Sequence, residues 1–202
     1  MDTNNIKIPE GSFIIAADGG YSCLRELKIK PDLTVGDFDS LGYVPDEKNV
    51  VRHSPIKDET DTVLAVDEGL SRGYKTFYIY GGMGGRLDHT LANIQTLSYL
   101  AEKGACGFLF GDDFVMTVLK SGRLKFDKSF SGVVSVFCLG DRAKDVTIKG
   151  LKYNVESAEM TCSYPLGVSN EFIGEAAAIG VGEGMLAVMW QRQKSADLPV
   201  KG

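Results

Sequence analysis

Histidine is scarce: two residues among 202, beside a single tryptophan and four cysteines. Cys23, Cys106, Cys138 and Cys162 form no CxxC pair and no Cys/His ligand spacing, which argues against zinc. They read as free thiols of a reduced compartment, so the expected location is the cytoplasm. Each is expected to be small core filler rather than a nucleophile. No run approaches the ~18 apolar residues of a membrane span, and the start lacks the basic and apolar segments of a signal peptide. Positive charge is short too: 22 Lys+Arg stand against 27 Asp+Glu, a net −5. A general nucleic-acid binder carries a basic surface. Neither nucleic acid nor membrane is an expected partner.

What is present is glycine and localised acid. Glycine fills 24 of 202 positions, about 12% against a usual ~7%. Hydrophobic content of 44% and charged content of 24% describe a folded globular chain of one large or two small domains. Residues 32–68 hold ten acids and three bases, so one stretch more than accounts for the net charge. It reads either as a solvated acidic face or as carboxylates that hold a cation.

Short apolar runs alternate with helical patterns as far as residue 120. Strands are expected at 13–17, 33–35, 50–53, 76–80, 108–110 and 114–119. Helices are expected at 21–28 and 58–71, and one follows the glycine-rich residues 81–85. In the last, Leu87, Leu91, Ile94, Leu97 and Ala101 recur at helical spacing and define a buried face. Such alternation predicts an α/β fold with a parallel sheet. Beyond residue 120 only strand candidates occur, at 133–139, 145–148, 153–155, 176–180 and 185–190, with a tight hairpin turn expected at 181–184. The expected domains are 1–120, α/β, and 121–202, all-β.

The candidate chemistry sits in strand-to-helix connections, where α/β sheets gather their ligands. Gly81-Gly82-Met83-Gly84-Gly85-Arg86 lies between a strand and a helix. Glycines let backbone N–H groups approach an anion, and the helix start adds positive potential. Arg86, His89 and Asn93 fall at +3 and +4 on one helix face, away from the leucines. Arg suits phosphate; Asp88 suits either a metal or a helix cap. Asp37 and Asp39 share a side if their segment is extended. Asp58 and Asp61 share a helix face, or cap its start. Asp18 ends the first strand. Their convergence predicts Mg²⁺ held by carboxylates and shared with a nucleotide's phosphates.

These residues carry a resemblance. Ala17-Asp18-Gly19-Gly20, the run 31–40 with Gly36-Asp37-Phe38-Asp39-Ser40, Lys57-Asp58-Glu59-Thr60-Asp61-Thr62, Gly81–Asp88-His89, Gly150-Leu151-Lys152-Tyr153 and Gly167-Val168-Ser169-Asn170-Glu171 occur in order. The ordered set resembles the thiamine pyrophosphokinase (thiamine diphosphokinase) family over residues 13–190. That resemblance implies a Rossmann-like parallel sheet with flanking helices, then a C-terminal β-sandwich that binds thiamine and dimerises. It implies Mg²⁺-dependent transfer of pyrophosphate from ATP to the hydroxyethyl group of thiamine, giving thiamine diphosphate and AMP. It also implies a homodimer with thiamine at the subunit interface.

Carried onto matching positions, Asp37, Asp39, Asp58, Asp61 and Asp88 are the catalytic acids and metal ligands, with Arg86 beside them. Asp18, Gly19, Gly82, Gly84, Gly85, Arg86, His89 and Asn93 lie on the ATP side, and Ser169 and Asn170 contact thiamine. Asp39→Asn is expected to reduce turnover and Mg²⁺ dependence without unfolding the chain; an unchanged rate removes Asp39 from the site. Trp190 reads as core or edge packing, with stacking on thiamine the alternative. The family has a strand before the Ala-Asp-Gly-Gly motif, and with 17 residues ahead of Asp18 this chain is expected to lack it. Other readings are a pyrophosphokinase for another alcohol such as a pterin, a metal-dependent phosphoesterase, or a non-catalytic nucleotide or thiamine binder.

Overall fold

The computed structural model describes residues 6–38, 49–52, 59–193 and 198–202. The chain divides into two compact units, 1–75 and 76–202. In the first, β1 (Ile15–Ala17), β2 (Leu33–Gly36) and β3 (Val50–Arg52) form a parallel sheet in that order. The registers are Ala17↔Val35 and Val35↔Val51. All four residues of β2 are buried, as an apolar central strand of a parallel sheet requires. Helix α1 (Gly20–Glu26) follows β1, and α2 (Asp61–Ser71) follows β3 in the chain. The start expected at 58 is corrected. Thr60, extended at ψ 154°, is the N-cap, and its hydroxyl accepts the Val63 N–H at 3.3 Å.

Among the described residues the second unit is one sheet with one helix. Its elements are β4 (Thr76–Tyr80), α3 (Leu87–Glu102), β5 (Cys106–Phe110), β6 (Phe114–Phe126) and β7 (Val133–Lys149). They continue with β8 (Val155–Thr161), β9 (Asn170–Glu171), β10 (Ala177–Gln191) and β11 (Val200–Lys201). The order is β4-β5-β6-β10-β7-β8, with β11 on β6 and β9 on β7. β4 and β5 pair in parallel; the pairings from β5 onward are antiparallel. Residue 120 lies inside β6, so the change of sequence texture there falls within one continuous strand.

The hairpin expected at 181–184 is absent, because β10 runs straight through it. Both its ladders shift register there, between Val181 and Met185 against β6 and between Glu183 and Met185 against β7. A bulge absorbs an extra residue and bends a strand without reversing it.

The leucine face of α3 is also corrected. Leu97, Leu100 and Ala101 are buried, but Leu87 and Leu91 are 72% and 56% exposed. Leu97 and Ala101 pack with Leu109, Met116, Val118 and Ala187 on one side of the sheet. A larger apolar cluster centres on Trp190, which is 1% exposed and meets Phe108 and Phe126 edge-on at 6.4 and 5.6 Å. Trp190 is therefore core, as its place in a terminal strand predicted. All four cysteines are free, and burial pushes the Cys138 thiol up. No helix among the described residues is long and apolar enough to cross a membrane.

Candidate active site

Asp18 and Asp37 sit just past the carboxyl ends of neighbouring strands β1 and β2. The Asp18 N–H donates to the Val35 carbonyl at 2.8 Å. A Cβ at Gly36 would stand 3.1 Å from the Asp18 Cα, so glycine there is what lets the two chain segments approach. Asp18 itself takes a φ of 40°. The expected extended run from Asp37 to Asp39 is corrected at Phe38, which has φ 63° and is buried. A left-handed residue breaks the strand alternation that would aim two carboxylates one way. Asp39 and Asp58 lie outside the described residues. Asp61 is the first residue of α2, where a carboxylate is favoured by the helix dipole.

The glycine-rich segment lies between β4 and α3, as expected. Gly84 and Gly85 take φ values of 89° and 69°. Gly82 is held differently: the buried Asn93 side chain donates from Nδ2 to the Gly82 carbonyl at 2.8 Å. A Cβ at Gly82 would lie 2.8 Å from both that nitrogen and Leu109 Cδ1. Asn93 thus shapes the loop from below. It does not share the exposed surface of Arg86 and His89; their expected common face is divided between core and solvent. Arg86 is the α3 N-cap by position, without a side-chain cap bond. Its Nη2 donates to Asp88 Oδ2 at 2.6 Å, and Asp88 Oδ1 accepts the His89 N–H at 3.0 Å.

That pairing makes a measurable prediction. The Arg86 guanidinium holds the Asp88 carboxyl down at about 2, from an ordinary 3.8. The ionised form therefore favours the folded state above about pH 3.8, and that preference is lost as the pH falls toward 2. Arg86→Gln should return the Asp88 titration most of the way to 3.8, read by NMR of its side-chain carbon. A midpoint still near 2 would show that the backbone N–H of His89 dominates instead.

The loop has a neighbour that no local sequence signal marked. The turn after β5 begins at Gly111, where a Cβ would meet Met83 Sδ at 2.7 Å. Met83 of the glycine loop therefore rests on the Gly111 backbone. Arg192, just past β10, donates from Nη1 to the Gly111 carbonyl at 3.0 Å and from its backbone N–H to the Asp113 carbonyl at 2.7 Å. Its guanidinium lies over the Phe110 ring, 5.6 Å from the centroid.

At β9, Ser169 is exposed with φ 59°, and its N–H donates to Ser135 Oγ at 3.0 Å. Asn170 is 3% exposed. Its Nδ2 donates to the Tyr153 carbonyl at 2.7 Å, and its Oδ1 accepts the N–H groups of Tyr153 and Glu171 at 3.0 and 2.9 Å. These bonds tie residues 150–153 to β9. Lys152 donates to Glu171 at 2.8 Å, which raises its pKa. Beside this tie lies a cavity of about 220 Å³, lined by Tyr153, Val155, Met160, Leu166, Val168 and Asn170 among others.

Carboxylate oxygens are hard donors, suited to Mg²⁺. Among the described residues no three His, Cys, Asp or Glu side chains form a metal cluster. The donor chemistry fits the ion, with Asp37 and Asp61 described and Asp39 and Asp58 beyond.

Comparison with known proteins gives concordant results. The family described as "Thiamin pyrophosphokinase, catalytic domain" matches residues 7–106, and "Thiamin pyrophosphokinase, vitamin B1 binding domain" matches 122–186. Thiamine pyrophosphokinase of Bacillus subtilis (strain 168) is 26% identical over 89% of this chain and 87% of its own. The crystal structure of Bacillus subtilis thiamine pyrophosphokinase superposes with a TM-score of 0.83, 25% identity and 95% coverage of both chains. A thiamin pyrophosphokinase family protein from Enterococcus faecalis is 30% identical, with a TM-score of 0.76, over 89% of this chain and 88% of that one.

Proposed function

The chain belongs to the thiamin pyrophosphokinase family, and from that premise we propose that it transfers pyrophosphate from ATP to the hydroxyethyl group of thiamine, releasing AMP. The observation that carries this reading is the pairing of two matched domains with two kinds of site. The catalytic match covers the acidic strand ends and the glycine loop; the vitamin-binding match covers the Asn170 tie and its cavity. We assign the working division to residues 1–120 and 121–202, which those matches support. The first part is Rossmann-like, and the long, bent β6, β7 and β10 wrap into a sandwich. The expected setting is the cytoplasm.

The residues divide the work. Asp37, Asp39, Asp58, Asp61 and Asp88 would hold Mg²⁺, which when bound neutralises polyphosphate charge. Asp18, Gly19, Gly82, Gly84, Gly85, His89 and Asn93 place the nucleotide. Arg86 gives up its exposed partner Asp88 and moves its fork to the transferring phosphoryl oxygens. An exposed ion pair is weak enough for that exchange. In-line transfer of this kind needs positioning and charge stabilisation above all. One aspartate takes the alcohol proton. Ser169 faces thiamine directly, and Asn170 acts through the turn that it ties. Exposed Tyr153, Tyr164, Leu166, Val168 and Ile173 near that turn favour a second copy of the chain closing the thiamine side, giving the homodimer.

Incubating the full chain with ATP, Mg²⁺ and thiamine should yield thiamine diphosphate and AMP in equal amounts, with both lost on chelation. ADP as product would refute pyrophosphoryl transfer, and no product with thiamine would remove the substrate assignment.

A further inference from the structure

We propose that Arg192 is a positioning residue for the ATP site, bracing the glycine loop from the far end of β10. The inference rests on reading residues 81–86 as the phosphate-binding loop. Arg192 is remote from that loop in sequence and carries none of the motifs above. It nevertheless makes two bonds to one short turn: Nη1 to the Gly111 carbonyl at 3.0 Å, and its N–H to the Asp113 carbonyl at 2.7 Å. The turn is closed by the Gly111 N–H to the Phe114 carbonyl at 2.8 Å. The guanidinium also lies over the Phe110 ring, 5.6 Å from its centroid, a cation–π contact that helps hold the head group.

The turn in turn carries Met83. With no Cβ at Gly111, the Met83 side chain lies directly on that backbone, while Asn93 holds the adjoining Gly82 carbonyl. The loop thus has two anchors: a hydrogen bond from α3 and a seat on the turn after β5. Arg192 sets the height of the seat. Met83 meets the Gly111 backbone through its side chain, and an unbranched thioether follows whatever surface it is given. A shift of the turn therefore passes to the backbone amides on either side of Met83.

Lysine is expected to substitute poorly. The guanidinium reaches the Gly111 carbonyl and lies over the Phe110 ring at once, which a point charge on a flexible stem does not do.

The test compares Arg192→Ala, Arg192→Lys, Gly111→Ala and Gln193→Ala in the full chain with wild type. Gly111→Ala displaces Met83 from the opposite side of the same contact. Gln193 lies two residues past the same strand but bonds Ser131, so it controls for loosening of the end of β10. ATP binding in the presence of Mg²⁺ is measured by calorimetry, and KM for ATP and for thiamine in the coupled reaction. Arg192→Ala, which loses one charge-assisted hydrogen bond, should weaken ATP about tenfold, and Gly111→Ala, which unseats Met83, should weaken it in the same direction. KM for thiamine should stay within about twofold, since that side of the unit is untouched. Arg192→Lys should fall between, and Gln193→Ala should match wild type.

Equal ATP affinity in wild type and Arg192→Ala overturns the inference alone. So does a parallel rise in both KM values, or the same loss in Gln193→Ala, because each marks a general structural role. Absence of ATP binding by wild type overturns the loop assignment and the inference together.

Discussion

Gly150→Ala should destabilise the chain by about 3 kcal/mol, combining a left-handed backbone with a clash that cannot relax cheaply. Gly150 has φ 75°, and an added Cβ would press into the Ala176 carbonyl and the Ala177 Cα, both backbone. Backbone neighbours leave only a shift of β10 against β7 as an escape. For a chain of this size the loss corresponds to about 10 °C in Tm. Gly140→Ala is the matched control: φ is 81°, but nothing lies within 4 Å of the added carbon. It should cost only the conformational part, about 1 kcal/mol. Urea denaturation of both variants reads the difference. If the two lose equal stability, close approach at Gly150 contributes nothing and the site is an ordinary turn.

The second large effect is catalytic. Arg86→Ala should lower kcat about a hundredfold, the usual size of losing one preorganised donor to a transition state. The folded state should hardly notice, because the guanidinium is exposed and its pair with Asp88 stands in solvent. Tm should therefore fall by no more than about 3 °C, the range of an exposed ion pair in a chain of this size. Arg86→Lys restores charge but not the fork, so it should recover only part of the rate. A variant that keeps full turnover would leave Arg86 as a surface residue, and the charge stabilisation would have to come from elsewhere in the loop.

The two predictions differ in how far sequence alone reaches them. The place of Arg86 at the start of α3 was legible, because a glycine-rich run between a β-rich segment and a helical one is a local pattern. The parallel strands, the two longer helices and the acidic strand ends were legible for the same reason. What escaped depends on contacts distant in the chain. Gly150 opens one of the motifs of the resemblance, but why that position must be glycine shows only once the backbone of residues 176–177 is placed against it. Residues 180–184 hold three glycines, a local turn signal, yet pairing on both sides makes them a bulge within β10. Leu87 and Leu91 keep helical periodicity but project beyond the sheet face that Leu97 and Leu100 cover. Phe38 is apolar in a short strand-like run, and only its φ shows that the run has already turned. Arg192 had no local signal at all; its meaning lies in a turn some eighty residues earlier.

The position of β10 bears on how the molecule comes to exist. It pairs with β6 on one side and β7 on the other, yet it follows both in the chain. During synthesis β6 and β7 emerge first and must wait for the strand that joins them. Until then each presents a long open edge, and open edges recruit whatever strand is nearest. The sheet therefore closes only when β10 arrives, and β6 and β7 stay without their shared partner until then.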